Sequence, residues 1–374
     1  MKGSRHFRVS ALLSACVMSL IATASWSQSL TWLGTLGGAG SVAFGVSADG
    51  LVVVGWSYNA AGQLRAFRWT ASGGMQNLGT LGGNQSEAYG VSANGSVVVG
   101  WTENDAGQYR AFRWTASDGM VGLGTLGGGY SVAYGVSANG LVVVGVAENA
   151  AGQLRAFRWT ASDGMEELGT LGGARSVAFG VSADGLVVVG WSYNAAGQYR
   201  AFRWTASDGM EELGTLGGNQ SEALGVSADG LVVVGWAEND AGFSRAFRWT
   251  ASDGMEELGT LGGAGSVAFG VSADGLVVVG FAYTAAGQER AFRWTASDGM
   301  EDLNTTYASL LTNGSYLELA TAISPDGRYI VGTGYNAATG RFEAFLLDTV
   351  PEPASLMALG AGLVGLLLRR RSKQ

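Results

Sequence analysis

Histidine, cysteine and lysine are nearly missing from this chain of 374 residues. The single histidine is His6, the single cysteine is Cys16, and the lysines are Lys2 and Lys373, so all four lie in the terminal segments. The long region between them therefore cannot form Ser-His-Asp or Cys-His nucleophiles or a lysine Schiff base. Disulfides and zinc sites with nitrogen and sulfur ligands are excluded there too. Carboxylate, tyrosine, serine and arginine remain as the side chains capable of chemistry.

Positive charge is also scarce outside the two ends. Seven of the 22 Lys and Arg residues belong to the terminal segments, which leaves 15 cations in residues 25–353, all of them arginine. All 30 carboxylates lie in the same region, so its net charge at neutral pH is −15. Such a surface repels nucleic acid phosphates and anionic lipid. Nucleic acid is therefore not an expected partner.

The first 24 residues have the composition of a secretory signal peptide. Lys2, Arg5 and Arg8 precede an apolar stretch over residues 9–22, and small residues follow up to Ala24. This order of positive, apolar and small segments predicts export with cleavage after Ala24. The alternative is a lipoprotein signal, because residues 13–16 resemble a lipobox that ends in Cys16. The apolar stretch continues past that cysteine, which favours the ordinary signal peptide.

The last 25 residues combine three parts in order. A proline-containing tetrapeptide at residues 350–353 precedes an uncharged apolar stretch at 354–368, and a cluster of arginines follows at once. Fifteen apolar residues are fewer than the ~20 that span a bilayer comfortably. The terminal cations nevertheless favour a short membrane-held helix with its end in the cytoplasm.

These three parts resemble the PEP-CTERM sorting signal. The motif residues are Val350, Pro351, Glu352, Pro353, Arg369, Arg370 and Arg371. The resemblance implies export in a Gram-negative bacterium, transient retention in the inner membrane, processing by an exosortase-type enzyme near the Pro-Glu-Pro, and release to the cell surface or matrix. An ordinary membrane anchor is the alternative. The expected organisation is a signal peptide at 1–24, a repeat domain at 25–348 and a sorting segment with a short transmembrane helix at 349–374.

A unit of 45 residues recurs six times between the ends. The block Gly-Val-Ser-Ala begins at Gly45 and the block Arg-Ala-Phe-Arg-Trp at Arg65, and both return every 45 residues. In the first copy, strand-forming segments at residues 42–47, 51–56, 65–70 and 75–80 are separated by turn residues such as Asp49 and Gly50. Each copy therefore predicts a four-stranded antiparallel meander, the unit of a β-propeller blade.

An incomplete seventh copy follows the six regular ones. Residues 322–327, 329–334 and 343–347 supply three strands, and the fourth is missing after Asp348. Residues 30–38, at the other end, copy the fourth-strand segment. These observations predict an all-β, seven-bladed propeller whose last blade is closed by the N-terminal strand. An open β-solenoid is the alternative, although it would need two separate caps instead of two complementary ends.

The repeat also resembles extracellular HAF repeats, in which Leu-Gly-Thr-Leu-Gly-Gly, Val-Val-Gly and His-Ala-Phe-x-Trp phrases recur in tandem. The likeness spans residues 30–347. It implies export and no particular activity. The histidine of the family phrase is arginine in all six regular copies and Glu343 in the seventh, so no role of that histidine can be carried over to this chain.

Asp49 begins a series of recurring carboxylates that would suit either a ring of metal or acid-base sites, or a set of turns. Asn94 and Asn139 take its place in two copies. Free exchange of Asp for Asn before Gly is typical of hairpin turns, in which the charge is irrelevant. The spacing does not match a calcium loop. The aspartates are therefore predicted to be structural, and no metal or cofactor is expected.

Arg65, Arg68 and Trp69 recur in all six regular copies, which is typical of scaffold positions. The arginines are expected to pair with carboxylates of neighbouring strands, such as Glu166 and Glu167, and not to clamp an anionic ligand. The tryptophans are expected to lie in the core between blades. These positions are therefore not predicted to bind ligand.

The copies differ mainly at residues 56–60, 63–64 and 84–87 and their equivalents. Aromatic, amide and carboxylate side chains alternate there, which suits sugar binding because aromatic faces pack on pyranose rings. The candidate ligand rim consists of Trp56, Tyr58, Asn59, Trp101, Glu103, Trp191, Tyr193, Trp236 and Glu238. The segment at Trp56 returns at Trp191, three copies later, so duplication of a three-blade block accounts for part of the pattern.

The favoured function is a non-enzymatic interaction or scaffold propeller of the cell surface or exopolysaccharide matrix, with extracellular polysaccharide as its expected partner. The alternative is a carbohydrate-active enzyme that uses paired carboxylates, which the composition permits. Only the irregular stretch at residues 303–318 offers residues outside the repeat for such a site. No catalytic residue is predicted.

Overall fold

The strands of this chain form seven separate four-stranded antiparallel sheets in a computed structural model that describes residues 28–349. The first strand, β1 (Ser29–Trp32), belongs to the last sheet. Blade 1 consists of β2 (Gly37–Val46), β3 (Val53–Asn59), β4 (Leu64–Thr70) and β5 (Gly74–Asn77), paired in sequence order. Its first strand lines a central channel together with the first strands of the other blades. The architecture is therefore an all-β, seven-bladed propeller, as the 45-residue period predicts.

Blades 2 to 6 repeat the order of blade 1. Their strands are β6 (Gly82–Val91), β7 (Val98–Asn104), β8 (Tyr109–Thr115) and β9 (Gly119–Gly122); β10 (Gly127–Val136), β11 (Val143–Asn149), β12 (Leu154–Thr160) and β13 (Gly164–Glu167); β14 (Gly172–Val181), β15 (Val188–Asn194), β16 (Tyr199–Thr205) and β17 (Gly209–Glu212); β18 (Gly217–Val226), β19 (Val233–Asn239), β20 (Ser244–Thr250) and β21 (Gly254–Glu257); and β22 (Gly262–Val271), β23 (Val277–Thr284), β24 (Glu289–Thr295) and β25 (Gly299–Asp302).

Blade 7 combines the two ends of the chain. It contains β26 (Tyr316–Ile323), β27 (Tyr329–Asn336) and β28 (Arg341–Asp348), and β1 pairs with β28 as its outermost strand. Thr31 lies opposite Leu346 in this antiparallel pair, and Trp32 packs edge to face on Phe345 with ring centroids 6.3 Å apart. The predicted N-terminal closure is therefore present, and the chain is a ring and not a solenoid.

The irregular stretch between blades 6 and 7 fills a gap in the ring. It forms the short helix α1 (Leu303–Thr306) and a 3₁₀ turn (Ala308–Leu310). The side chain of Asp302 caps the helix by accepting a hydrogen bond from the Asn304 backbone N–H at 2.8 Å. Leu303 and Tyr307 are buried in the core shared with blade 7. This irregular stretch therefore contributes apolar side chains to the core between blades 6 and 7.

The ring has two faces with different connections. The loops between the second and third strands, residues 60–63 in blade 1, lie on one side, which we call the loop face. The turns between the first and second strands, residues 47–52, lie on the other side together with the turns between the third and fourth strands, and we call this the turn face. Leucines such as Leu51 project from the turn face and are about 60% exposed.

The apolar core lies between blades and not within them. Val54 and Ala66 on one side of blade 1 pack against Phe112 and Trp114 of blade 2. The equivalent phenylalanine is fully buried in every blade. Trp69 and Trp114 are also buried between blades, as predicted for the recurring tryptophan, whereas Trp159, Trp204, Trp249 and Trp294 are half-buried at the edge of the same inter-blade cores. A single blade therefore has no core of its own.

A buried serine links neighbouring blades by hydrogen bonds. In blade 2, Ser86 Oγ accepts from the backbone N–H of Ala66 in blade 1 at 3.0 Å and donates to the carbonyl of Gly79 at 2.7 Å. The equivalent serine makes both bonds at four other blade boundaries and at the junction of blades 7 and 1. These bonds satisfy backbone groups that the strand ladders leave unpaired.

Backbone hydrogen bonds also join the turns around the channel on the turn face. The N–H of Ala48 donates to Ala93 O at 2.9 Å, and each following turn donates to the next, up to Ala273 N–H and Pro325 O at 2.8 Å. Proline has no N–H, so the turn of blade 7 cannot donate to that of blade 1. The belt of turns is therefore open at the junction where the chain ends meet.

Strand boundaries differ from the predicted ones at the centre and the edge of each blade. In blade 1 the first strand begins at Gly37, before the predicted residue 42, and the second runs to Asn59. A bulge between Gly37 and Ser41 interrupts the pairing and hides this extension from the alternating pattern. Gly45 is required by close packing, because an added Cβ would lie 3.2 Å from Tyr89 O in the next blade.

Deletion of residues 28–33 should lower the melting temperature by about 5 °C or more, because it removes the buried Leu33 and exposes the apolar edge of β28. Differential scanning calorimetry would measure the shift. Thr31→Ser is the control, since this exposed side chain lies within the same strand and its replacement keeps the pairing. An unchanged melting temperature in the deletion variant would show that β1 does not hold blade 7.

Candidate functional site

The predicted ligand rim lies on the loop face, near the ends of the second strands. Tyr58 is 38% exposed and Trp101 is 7% exposed. Trp56, Trp191 and Trp236 are half-buried. The rim is therefore a mixed surface in which some rings are accessible and others are packed against the next blade.

Three rim residues have local structural partners. Asn59 Oδ1 accepts from the backbone N–H groups of Ala61 and Gln63 at 3.0 and 2.9 Å, which shapes its loop. Glu103 accepts from the N–H of Asn84 at 2.9 Å, and Glu238 accepts from the N–H of Asn219 at 3.0 Å. The asparagine thus fixes its own loop, and the two carboxylates hold the bulged start of the first strand of their blades.

Aromatic rings of blades 4 and 5 form a continuous row on the loop face. The ring centroids of Trp191 and Tyr199 are 4.3 Å apart with an interplanar angle of 30°. Those of Tyr199 and Trp236 are 6.3 Å apart at 28°, and Tyr193 meets Trp191 edge to face at 5.5 Å. We call this row, together with Glu222, the blade 4–5 cluster.

Glu222 on β18 is the centre of this cluster. Its Oε2 accepts hydrogen bonds from the Tyr199 hydroxyl at 2.6 Å and from Trp236 Nε1 at 3.0 Å. Among residues 28–349, no donor is bonded to Oε1. Burial raises the pKa of Glu222, although both hydrogen bonds oppose that shift. One oxygen of a partly desolvated carboxyl group therefore remains open for a further donor.

Glu87 occupies the equivalent position in blade 2 and has a different tyrosine partner. The Tyr89 hydroxyl donates to Glu87 Oε2 at 2.6 Å, and Trp101 Nε1 donates to that hydroxyl at 3.2 Å. Burial also raises the pKa of Glu87, against the hydrogen bonds from Tyr89 and Trp101. Tyr89 corresponds to Leu224 in blade 5, and Tyr199 corresponds to Leu64 in blade 1. The two blades thus reach the same carboxyl-tyrosine-tryptophan arrangement with tyrosines from different positions.

Aromatic side chains line part of the central channel. The rings of Phe44, Tyr89, Tyr134 and Phe179 follow one another around it, with centroids 5.1, 5.1 and 4.8 Å apart. The channel volume is about 270 Å³. Burial raises the pKa of Tyr134, and the negative charges of both glutamates contribute to the shift. The negative charges of Glu87 and Glu222 therefore affect a tyrosine of the channel wall.

The turn aspartates have the structural role that their exchange with asparagine predicts. Asp49 Oδ1 accepts from the Ser47 hydroxyl at 2.6 Å and from the Leu51 N–H at 3.0 Å. Asn94 makes the same bonds to Ser92 and Ser96 through its amide oxygen, at 2.8 and 3.1 Å. An oxygen acceptor is sufficient here, whatever its charge.

The recurring arginine of the third strand forms the predicted ion pair in three blades. Arg155 Nε lies 2.8 Å from Glu167 Oε1, and the equivalent pairs are Arg200 with Glu212 and Arg245 with Glu257. Arg155 also donates to the carbonyl of Ala174 in the next blade at 2.5 Å. These arginines join strands and blades, and their charge is compensated.

The sequence alone does not single out Glu87 and Glu222 as functional candidates. Residues 84–87 are recognisable as variable, but the equivalents of Glu87 in four other blades are Val42, Val132, Val177 and Val267. That contrast of valine with glutamate at a position facing another blade was the available signal. Whether such a glutamate is buried and bonded depends on the side chains of the next blade, which the sequence alone does not give.

The described part of the chain, residues 28–349, has neither a metal-binding group of side chains nor a membrane-spanning helix. In this range no three His, Cys, Asp or Glu side chains come together in a way that would hold a metal ion. Nor does any helix in the same range have the length and apolar character needed to cross a bilayer. The predicted signal peptide, its cleavage site at Ala24 and the apolar stretch at 354–368 lie outside the described residues.

The C-terminal segment can be assigned to a known sorting signal. Residues 349–371 match the PEP-CTERM protein-sorting motif. The match includes the predicted motif residues from Val350 to Arg371. The motif implies an exported, surface-sorted protein that is processed at the membrane and recognised by an exosortase-type enzyme.

Several solved structures share the fold. The β-propeller domain of the Trilobed protease from Pyrococcus furiosus aligns with a TM-score of 0.55 at 11% identity, over 86% of this chain and 95% of that chain. The BP39L lectin from Burkholderia pseudomallei gives 0.52 at 8% identity, over 84% and 97%. A prolyl endopeptidase gives 0.51 at 12% identity, over 86% and 52%. At these identities the likeness shows the fold alone. A search of curated proteins gives no match.

Glu222→Gln should make the protein more stable at pH 7 but not at pH 4. The raised pKa of Glu222 means that its favourable contribution is complete below the unfolded value near 4.5 and is lost as the pH rises through the folded value. Glutamine keeps the acceptor oxygen and does not titrate, so the melting temperature at pH 7 should rise by about 2 °C. Calorimetry at both pH values would measure this.

The matched control is Asp118→Asn, since Asp118 is exposed on the turn face and asparagine keeps a side-chain oxygen that can accept from the Thr115 hydroxyl. Its melting temperature should change little at pH 7. If the Glu222→Gln protein were less stable than the original at pH 7, burial would not be destabilising the ionised carboxylate, and the argument would be wrong.

Proposed function

We propose that this exported propeller is a non-enzymatic, carbohydrate-binding protein of the cell surface or extracellular matrix, and that extracellular polysaccharide is its partner. The observation that carries the proposal is Glu222, whose Oε1 is open beside the stacked rings of Trp191 and Tyr199. A carboxylate oxygen accepts hydrogen bonds from sugar hydroxyls, and the neighbouring aromatic rings offer apolar contact to pyranose C–H groups.

Folding alone does not account for the two glutamates. Burial disfavours their ionised form, and valine occupies the same position in four other blades of the same ring. A group that destabilises the fold and is replaceable within it is typical of a functional position. The exchange of tyrosine partners between blades 2 and 5 supports this interpretation, because simple duplication would copy the partner with the carboxylate.

The described chain ends at Thr349 on the turn face, which leaves the loop face accessible. Thr349 is buried, and its N–H and hydroxyl both donate to Arg328 O in a turn of the turn face, at 3.0 and 2.8 Å. The last described residue therefore lies on the turn face, the side opposite the blade 4–5 cluster. A protein attached through the sorting segment that follows would present this cluster away from the membrane.

The proposed route to the surface joins both termini. The signal peptide is removed after Ala24, the segment at 354–368 holds the precursor transiently in the inner membrane, and an exosortase-type enzyme cuts near Pro351 and Pro353. Prolines keep this stretch extended and accessible to a processing enzyme. The resemblance to extracellular HAF repeats is consistent with this route.

A carboxylate-dependent carbohydrate-active enzyme is the second candidate. The raised pKa values of Glu87 and Glu222 favour it, because general acids need such values. Hydrolysis also needs a second carboxylate across the scissile bond. The hydrogen-bond partners of both glutamates are tyrosine and tryptophan, and this composition favours binding without turnover.

Glycan binding should depend on the blade 4–5 cluster. On a polysaccharide array, the purified protein should bind at least one glycan, and Tyr193→Ala and Glu222→Gln should each weaken binding about tenfold, as expected for loss of a ring contact or a charge-assisted hydrogen bond. Leu186→Ser on the turn face is the control and should bind normally. Release of reducing ends from any bound polysaccharide would replace the binding function with the enzymatic one.

The surface-exposed protein should lack residues 354–374. The 15 apolar residues at 354–368 are too few for a strong permanent anchor. In the proposed route they hold the precursor only until the chain is cut near the Pro-Glu-Pro. Intact mass spectrometry of protein from the cell surface would locate the new C-terminus. A species that still ends at Gln374 would identify the segment as a plain membrane anchor.

A further inference from the structure

A cleft on the turn face between blades 1 and 2 differs from its counterparts around the ring. Its volume is about 690 Å³, within the range of sites for small organic ligands. Arg68 and Gln76 of blade 1 form one wall, and the turn at Asn94 and Ser96 of blade 2 forms the other. Arg113 and Trp114 also line the cleft.

The carboxylates that occupy the repeat positions around this arginine in the clefts between blades 3 and 6 are missing here, and the cleft between blades 2 and 3 keeps one of them, Asp118. In the cleft between blades 3 and 4, the same repeat positions are Glu166, Asp163 and Asp184, and the next two clefts also have one glutamate and two aspartates. Between blades 1 and 2 these positions hold Gln76, Gly73 and Asn94. The summed charge of the arginine and these three positions is therefore −2 between blades 3 and 4 and +1 here, in a domain whose charge is strongly negative.

Ser96 replaces a leucine at the mouth of the cleft, and this smaller side chain leaves the mouth wider. Leu141, Leu186, Leu231 and Leu276 project from the equivalent turns of other blades, whereas blade 2 has Ser96. The Ser96 hydroxyl and N–H both bond to Asn94 Oδ1, at 2.7 and 3.1 Å. The turn thus keeps its shape without the bulky side chain.

The guanidinium groups in the cleft have no carboxylate partner among residues 28–349. Arg68 Nε makes a long hydrogen bond of 3.4 Å to Gly95 O, and neither Arg68 nor Arg113 forms an ion pair there. In blade 6, by contrast, Arg293 lies 3.7 Å from Glu301. The half-buried position of Arg68 limits solvent screening, so an anion would be held more strongly than at an open surface.

We propose that this cleft binds the carboxylate of an acidic sugar, a uronic acid unit of a polysaccharide. Arg68 supplies a planar donor pair for the carboxylate. Gln76, Asn94 and Ser96 supply amide and hydroxyl groups for ring hydroxyls. A phosphate-bearing lipid would satisfy the arginine but not this set of short polar groups. The site is separate from the blade 4–5 cluster and does not depend on it.

The test uses trisaccharides of galacturonate, glucuronate and mannuronate, titrated calorimetrically into the full chain in detergent. At least one should bind with one equivalent per chain, and its affinity should fall as the salt concentration rises, as expected for an ionic contact. The galactose trisaccharide should not bind. A soluble short-chain phosphatidylglycerol should not compete.

Variants that restore the common repeat sequence make the test specific. Gln76→Glu, Asn94→Asp and Ser96→Leu together should weaken uronate binding at least tenfold and leave the melting temperature unchanged, since other blades carry these residues. Arg68→Gln should have the same effect on binding. Glu222→Gln should leave uronate binding intact, which separates this site from the proposed function of the loop face.

The reverse exchange should create a second site. Asp163→Gly, Glu166→Gln, Asp184→Asn and Leu186→Ser in blades 3 and 4 should raise the stoichiometry from one to two. The proposal is overturned by absence of binding to all three uronates, by full affinity in the restored variant, or by equal affinity for the neutral trisaccharide. Preferential binding of phosphatidylglycerol would assign the cleft to a lipid headgroup instead.

Discussion

Contact between neighbouring blades is the interaction on which this structure depends. Each blade is a sheet of four strands with an apolar side that only the next blade can cover. Phe112 in blade 2 shows the principle, since it is fully buried against residues of blade 1. A row of such sheets would always leave one side exposed. Closure of the ring removes that exposed side, and β1 makes closure possible by completing blade 7.

This constraint divides the repeat into fixed and free positions. The phenylalanine, valine and serine that join blades recur with little change because every junction has the same geometry. The loops and turns at the ends of the blades are more exposed than the junctions, and differences between copies accumulate there. Glu87 and Glu222 are an exception, since they lie near a junction and still depart from valine. The blade 1–2 cleft departs in the opposite sense, through loss of charges that other copies have.

The sequence predicts the features that depend on residues within a single copy of the repeat. The 45-residue period indicates the blade count, Asp-Gly and Asn-Gly predict the turns, and residues 30–38 indicate the closing strand. The long first strand from Gly37 is not evident, because a bulge breaks its alternation. The carboxyl-tyrosine pair of Glu222 with Tyr199 is not evident either, since the two side chains belong to different blades. Pairings across a junction require knowledge of which side of each sheet meets its neighbour.

The attachment of Thr349 determines how the ring would carry mechanical load. Tension on the C-terminal segment enters at β28, which is paired on one side with β27 and on the other with β1. The pull acts along the strand, so the hydrogen bonds of both ladders are loaded in shear at the same time. Blade 7 is also where the belt of turns is open at Pro325, so the load enters at the junction that lacks one of these backbone hydrogen bonds and is supported there by the two strand ladders.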